Sequence, residues 1–136
     1  GRSSSMPTTT ARSIQIGMRT HHEDTHGYQV LDARWLHRHG VDRAVEAIKA
    51  RVGASACYLT FDIDFLDPAF APGTGTPVVG GFDTHTALEI IRGMAGIRIV
   101  GADVVEVSPP YDHAETTALA AASIAHEMLC LMNFRN

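Results

Sequence analysis

The sequence predicts an α/β fold, a three-layer sandwich with a mainly parallel sheet. Two observations lead there. From Ser13 onward, short apolar runs alternate with longer helical patterns, the order expected when helices cross between parallel strands. The two strongest strand patterns, "ACYLTFDID" (56–64) and "IRIVGADVVEV" (97–107), are apolar on both faces, as strands covered on each side are.

The elements follow in order. "SIQIGM" (13–18) and "YQVLD" (28–32) read as short strands. "DRAVEAIKARV" (42–52) sets Ala44, Val45, Ile48 and Val52 on one helical face, with Asp42 as its expected N-cap. After the 56–64 strand, "THTALEIIRGM" (84–94) carries Leu88, Ile91 and Met94 on a stripe, with Thr84 as the cap candidate. The 97–107 strand runs into "SPPYD", where Pro109 and Pro110 forbid further pairing. "TALAAASIAHEMLCLM" (117–132) is a long, largely apolar helix. Residues 1–10, "GRSSSMPTTT", lack apolar periodicity and read as a disordered tail or expression scar, leaving 11–136 as one domain or part of one.

Composition narrows the function. Eleven basic against 15 acidic residues give a net charge of −4, which favours neither nucleic acid nor an acidic membrane surface. No apolar run approaches the roughly 20 residues that span a bilayer. Cys57 and Cys130 stand far apart in apolar stretches and read as reduced core residues of a cytoplasmic protein.

The chemistry concentrates in "FDIDFLDPAFAPGTGTP" (61–77). Asp67 before Pro68 is a turn former. Asp62 and Asp64, two apart at the end of a strand, are expected on one face, at the sheet edge where open parallel sheets bind ligands. Glu106 reaches the same edge from the next strand. Crowded carboxylates either raise the pKa of one member or take up a cation, and oxygen donors suit hard ions such as magnesium, calcium or manganese. Pro72 and Pro77 stiffen the following loop, while Gly73 and Gly75 allow close approach of backbone to a ligand; no Gly-Lys-Ser/Thr makes it a phosphate loop.

"TFDIDFLDPAFAPGTGTP" resembles the third metal-binding signature of the ureohydrolase family, which includes arginases, agmatinases, guanidinobutyrases and formiminoglutamases. "ADVVEVSPPYD" with "TALAAASIAHEML" resembles that family's final strand and helix, and "RSIQIGMRT" its middle strand. "APGTGTP" together with "VEVSPPYD" is more similar to agmatinases than to arginases. The resemblance implies the C-terminal portion of an arginase-like fold, with Asp62 and Asp64 as ligands of a binuclear Mn2+ cluster and Glu106 as the acid holding the substrate guanidinium. It implies hydrolysis of a small guanidino compound, agmatine or 4-guanidinobutyrate, to urea and an amine, by a homo-oligomer (trimer or hexamer). The family's Gly-Gly-Asp-His and Asp-Ala-His-x-Asp segments do not occur here, so the remaining ligands are expected outside this sequence and the chain alone is expected to be inactive. A truncated, silent subunit serving as an interaction module is the alternative reading, and a one-metal domain using Asp62 and Asp64 a third.

The histidines fill lesser roles. "THHEDTH" (20–26) matches the family's loop over the active-site mouth and reads as a solvated loop or substrate gate. His37 and His39 read as an exposed helix end, His85 as an exposed first-turn residue and His113 as a surface turn. His126 reads as a satisfied core histidine, and Trp35 as the anchor of a helix on the core.

Overall fold

The computed structural model describes residues 9–21 and 23–133. The tail expected over 1–10 lies outside the described residues as far as residue 8, and Thr9–Arg12 form a 3-10 turn. Strand β1 (Ile14–Met18) pairs in parallel with β2 (Gln29–Asp32). Strand β3 (Cys57–Asp62) pairs in parallel with β4 (Ile99–Val105). Three helices connect and cover them: α1 (Ala33–Val52), α2 (Thr84–Gly93) and α3 (Thr116–Asn133). The expected α/β class with parallel pairing is what forms.

Helix α1 starts nine residues before Asp42. Asp32 ends β2 and caps the helix at once, its carboxylate accepting the Trp35 amide at 2.7 Å, which satisfies an N–H with no intrahelical partner. Gly40, at φ 81°, kinks the helix; Asp42 lies just beyond that kink, within α1 rather than at its cap. The buried stripe Leu36, Ala44, Ile48 and Val52 packs with Ile90 of α2, with Met94 at its C-cap and with Ile99 of β4. Trp35 packs at the edge of that cluster and stacks on His39, ring centroids 4.4 Å apart.

Helix α2 contributes to a second cluster as well. Ala87 and Ile91 join Ile63, Leu66, Ile124 and Met128, so α2 ties α1 to α3. The cap of α2 is Asp83, one residue before Thr84, with its carboxylate on the Thr86 amide at 2.7 Å. Arg92 then bonds Glu89 at 3.0 Å and Glu127 of α3 at 2.6 Å. Asp112 caps α3 from outside, accepting the Thr117 and Ala118 amides at 2.9 and 3.0 Å.

Two expectations need correction. Strand β3 is not covered on both faces by this chain: Cys57, Leu59 and Phe61 are half-buried, while Tyr58, Thr60 and Asp62 are exposed. Its apolar content reflects one packed face and an aromatic on the other; Tyr58 lies over Gly101 and donates to Asp103 at 3.0 Å. His126 is exposed, beside Cys130 on α3, rather than in the core. Both cysteines are free and half-buried. Among the described residues, no helix is long and apolar enough to cross a membrane.

One glycine brings the two sheets together. Gly17, at φ 83°, sits where the β1 register shifts, and a Cβ there would lie 2.5 Å from the Phe65 ring. The end of β1 is thereby set against the turn that follows β3.

Candidate active site

Strand β3 stops at Asp62 for a local reason. The Asp62 carboxylate accepts the Asp64 amide at 3.0 Å, a side-chain bond that competes with continued pairing, and Ile63–Phe65 form a 3-10 turn. Asp64 therefore lies on that turn, not on the strand as its two-residue spacing suggested. Ile63 and Leu66 are almost wholly buried on either side of it. They anchor the turn in the core while Asp62 stays exposed and Asp64 half-exposed.

The charges still meet. Desolvation by the surrounding chain pushes the Asp62 carboxyl above its ordinary range; the Asp64 amide opposes this, and the neighbouring charges of Asp64 and Glu106 reinforce it. Asp64 also accepts a hydrogen bond from the Thr76 hydroxyl at 3.3 Å, which links it to the glycine- and proline-rich loop.

Glu106 is held from both sides. Val105, before it, pairs with Asp62 across the sheet. Val107, after it, bridges to Thr74, and the Ser108 amide donates to the Gly73 carbonyl at 2.8 Å. Between these fixed neighbours Glu106 lies past the end of β4 at φ 66°, with its side chain exposed. A residue with a Cβ in that region stores roughly 1–3 kcal/mol of strain, and such strain collects at functional sites.

The loop over 67–82 is closed at its base. Asp67 accepts the amides of Ala69, Gly80 and Gly81 at 3.0, 2.9 and 3.1 Å. The Asp67 amide donates to the Phe82 carbonyl at 2.9 Å, and the Phe82 amide to Phe65 at 3.2 Å. The amide bonds hold the Asp67 carboxyl below its ordinary value, against some desolvation. Asp67 is the turn former its Asp-Pro context predicts, and it pins the far end of the loop as well. Gly81 must be glycine, because a Cβ there would lie 2.5 Å from the Asp67 amide nitrogen.

Among the described residues, no histidine joins the acids in a group of three or more that could hold a metal ion. His21, Glu23 and His26 are exposed, His26 pairs with Asp24 at 3.1 Å, and His22 lies outside the described residues. His85 and His113 are exposed, as expected. His37 does more than end a helix: its Nε2 lies 3.0 Å from the Gly80 carbonyl and its ring stacks on Phe82. Sequence reasoning missed Thr76 and Arg19. Thr76 stands inside the quoted loop, and its proximity in sequence to Asp64 was the available signal. Among the described residues Arg19 bonds only backbone carbonyls, which leave no trace in side-chain patterns.

Two carboxylates beside a third, with the Asp62 pKa pushed up first by desolvation and then by its charged neighbours, form a donor set that fits a hard divalent cation. Among the described residues, no group of three or more His, Cys, Asp or Glu is placed to hold a metal ion. Asp62 and Asp64 thus fit as part of a coordination shell, and Glu106 fits a cationic, planar partner.

The chain matches the Arginase family over residues 3–130. It is 55% identical to an agmatinase of Chromobacterium violaceum over 121 residues, covering 89% of this chain and 38% of that protein. The crystal structure of a hypothetical agmatinase from Burkholderia thailandensis superposes with a TM-score of 0.88 at 54% identity, over 90% of this chain and 39% of that one. Proclavaminate amidino hydrolase from Streptomyces clavuligerus superposes with a TM-score of 0.87 at 40% identity, over 90% and 43%. The chain therefore spans about two fifths of the length of these relatives.

Proposed function

The chain belongs to the arginase family, and we propose that it forms part of an amidinohydrolase of the agmatinase type, hydrolysing a small guanidino compound to urea and an amine. The observation that carries this reading is the meeting of Asp62 and Glu106 at the C-terminal ends of paired parallel strands, with Asp64 on the adjoining turn. Similarity to an agmatinase at 55% identity supports agmatine as the first substrate to test, with 4-guanidinobutyrate second.

In this reading Asp62 and Asp64 hold metal, manganese in two-ion form, which would supply Lewis acidity and make water nucleophilic near neutral pH. Glu106 binds and orients the guanidinium through paired N–H···O bonds. The loop 67–82 forms a rigid wall beside the acids and braces Asp64 through Thr76. The "THHEDTH" loop, exposed at its described residues and rich in polar groups, serves as a gate at the mouth. The complete protein works as a cytoplasmic homo-oligomer, a trimer or hexamer.

The test is urea release by the whole protein from a panel of guanidino compounds, with and without Mn2+. Turnover of agmatine that needs metal and disappears in Asp64→Ala is the expected result. Metal-independent turnover, or none on any guanidino compound, would overturn the proposal.

A further inference from the structure

We infer that Arg19 is a positioning residue for the acidic site, holding the backbone from which Asp64 projects. Its guanidinium donates to four carbonyls from three separate segments. Nη2 meets the carbonyl of Asp64 itself, and Nη1 meets Phe65 at 3.3 Å and Gly17 at 3.2 Å. Nε meets Val78, at the far end of the loop, at 3.1 Å.

A surface arginine placed for solubility would not be used this way. Arg19 is half-buried and forms no ion pair among the described residues, so its donors are spent on main chain. Only a planar fork with donors at fixed angles serves carbonyls lying in different directions; an ammonium cannot reproduce it. Asp67 does the complementary work, accepting amides of Gly80 and Gly81 where Arg19 takes the carbonyl of Val78. One residue thus binds a carbonyl of the loop and the other its amides. Both fix the strand end, the turn and the loop relative to one another.

The consequence falls on Asp64. Its peptide unit is bonded directly by Arg19, and its carboxylate is braced by Thr76 from the loop that Arg19 ties down. Losing Arg19 frees both the backbone and the brace, whereas Glu106 follows Val105, which is fixed in the β3–β4 ladder, and the Gly73 segment beside it is anchored on Thr117 of α3. This role rests on reading Asp62 and Asp64 as metal ligands.

The experiment uses the whole protein and two variants. Arg19→Met keeps the stem and removes every donor, and Arg19→Lys restores charge without the fork. In metal-free Arg19→Met, the amides of Asp67, Gly80, Gly81 and Phe82 should exchange hydrogen markedly faster. Mn2+ affinity by chelator competition should fall about 10–100-fold, the range for losing a group that orients a ligand. At saturating Mn2+ the KM for agmatine should stay near that of the parent, and Arg19→Lys should lie between. Unchanged exchange would overturn the clamp. Faster exchange with unchanged Mn2+ affinity would reduce Arg19 to a staple for the loop and overturn the positioning role. If Arg19→Met does not fold, Arg19→Lys carries the same comparison. Asp64→Ala separates the two ideas: if it leaves Mn2+ affinity intact, the ligand reading fails and this role with it, whatever the exchange data show.

Discussion

Glu106 occupies a backbone conformation that glycine would adopt more cheaply, at φ 66°. Retaining a carboxylate there makes sense if the charge does work that the strain offsets. The side chain is exposed and no ion pair forms at it among the described residues, so a cationic ligand is its natural partner. Glu106→Gln keeps shape and backbone while removing the charge. A charge-assisted bond contributes about 1.5–3 kcal/mol, so kcat/KM of the whole protein should fall at least roughly tenfold. Metal content, measured by elemental analysis, should not change. Parent-like kinetics would remove Glu106 from substrate binding. At Asp64 the expectation is reversed: Asp64→Ala should lower bound metal first and turnover as a consequence. A variant that loses turnover while retaining full metal would show that Asp64 is not a ligand.

The elements show what holds these residues in place, and how far the sequence displayed it. Asp83→Ala removes the α2 cap and should cost about 0.5–2 kcal/mol, read as a lower thermal midpoint; no change would mean another group caps the helix. Gly17→Ala must force a Cβ against the Phe65 ring at a positive φ. It should destabilise more than the cap loss does, because strain and overpacking add. Acid should act through the same turns. Asp83 is held below its ordinary pKa by the hydroxyl and amide of Thr86, and Asp112 by the amides of Thr117, Ala118 and His113 against its own desolvation. A carboxyl lowered in the folded state contributes stability in full above its unfolded value, near 3.9. That contribution is lost as pH falls through the lower folded value. Asp112→Asn should therefore lose less stability than the parent between about pH 5 and pH 3; an identical acid profile would sink the assignment. Apolar runs revealed β3 and β4, apolar periodicity revealed α2 and α3, and the carboxylate motif marked the site. The caps were misread because the apolar stripe of α1 is regular only after Gly40. The first turns, "ARWLHRH", are held by Asp32 and by tertiary packing of Ala33 and Leu36 rather than by a strong pattern. Asp64 left the strand through a side-chain bond from Asp62, a competition that alternation of residue types does not encode.

For the molecule as a whole, the decisive quantity is the number of ligands. Among the described residues Asp62 and Asp64 are brought together with Glu106 near them, yet no set of three metal-binding side chains is assembled. The relatives this chain matches are longer, and it spans 38% of one and 39% of another. The residues that complete the coordination shell are accordingly expected elsewhere in the whole protein. A shell with two carboxylates lacks the ligand number and fixed geometry that retain a divalent ion. In the proposed reading Glu106 still holds a guanidinium, but holding it does not activate water toward a resonance-stabilised carbon. The 136-residue chain by itself should therefore bind Mn2+ weakly and release no urea from agmatine, whereas under the proposed function the whole protein should bind Mn2+ tightly and release urea. Purified, monodisperse chain assayed with excess Mn2+ and agmatine, against its own Asp64→Ala variant as the blank, makes the comparison. Turnover above that blank at an enzymatic rate, on the order of 1 s⁻¹ or more, would mean that these residues build a complete site. Activity that appears only when the remaining sequence is added back would locate the missing ligands there.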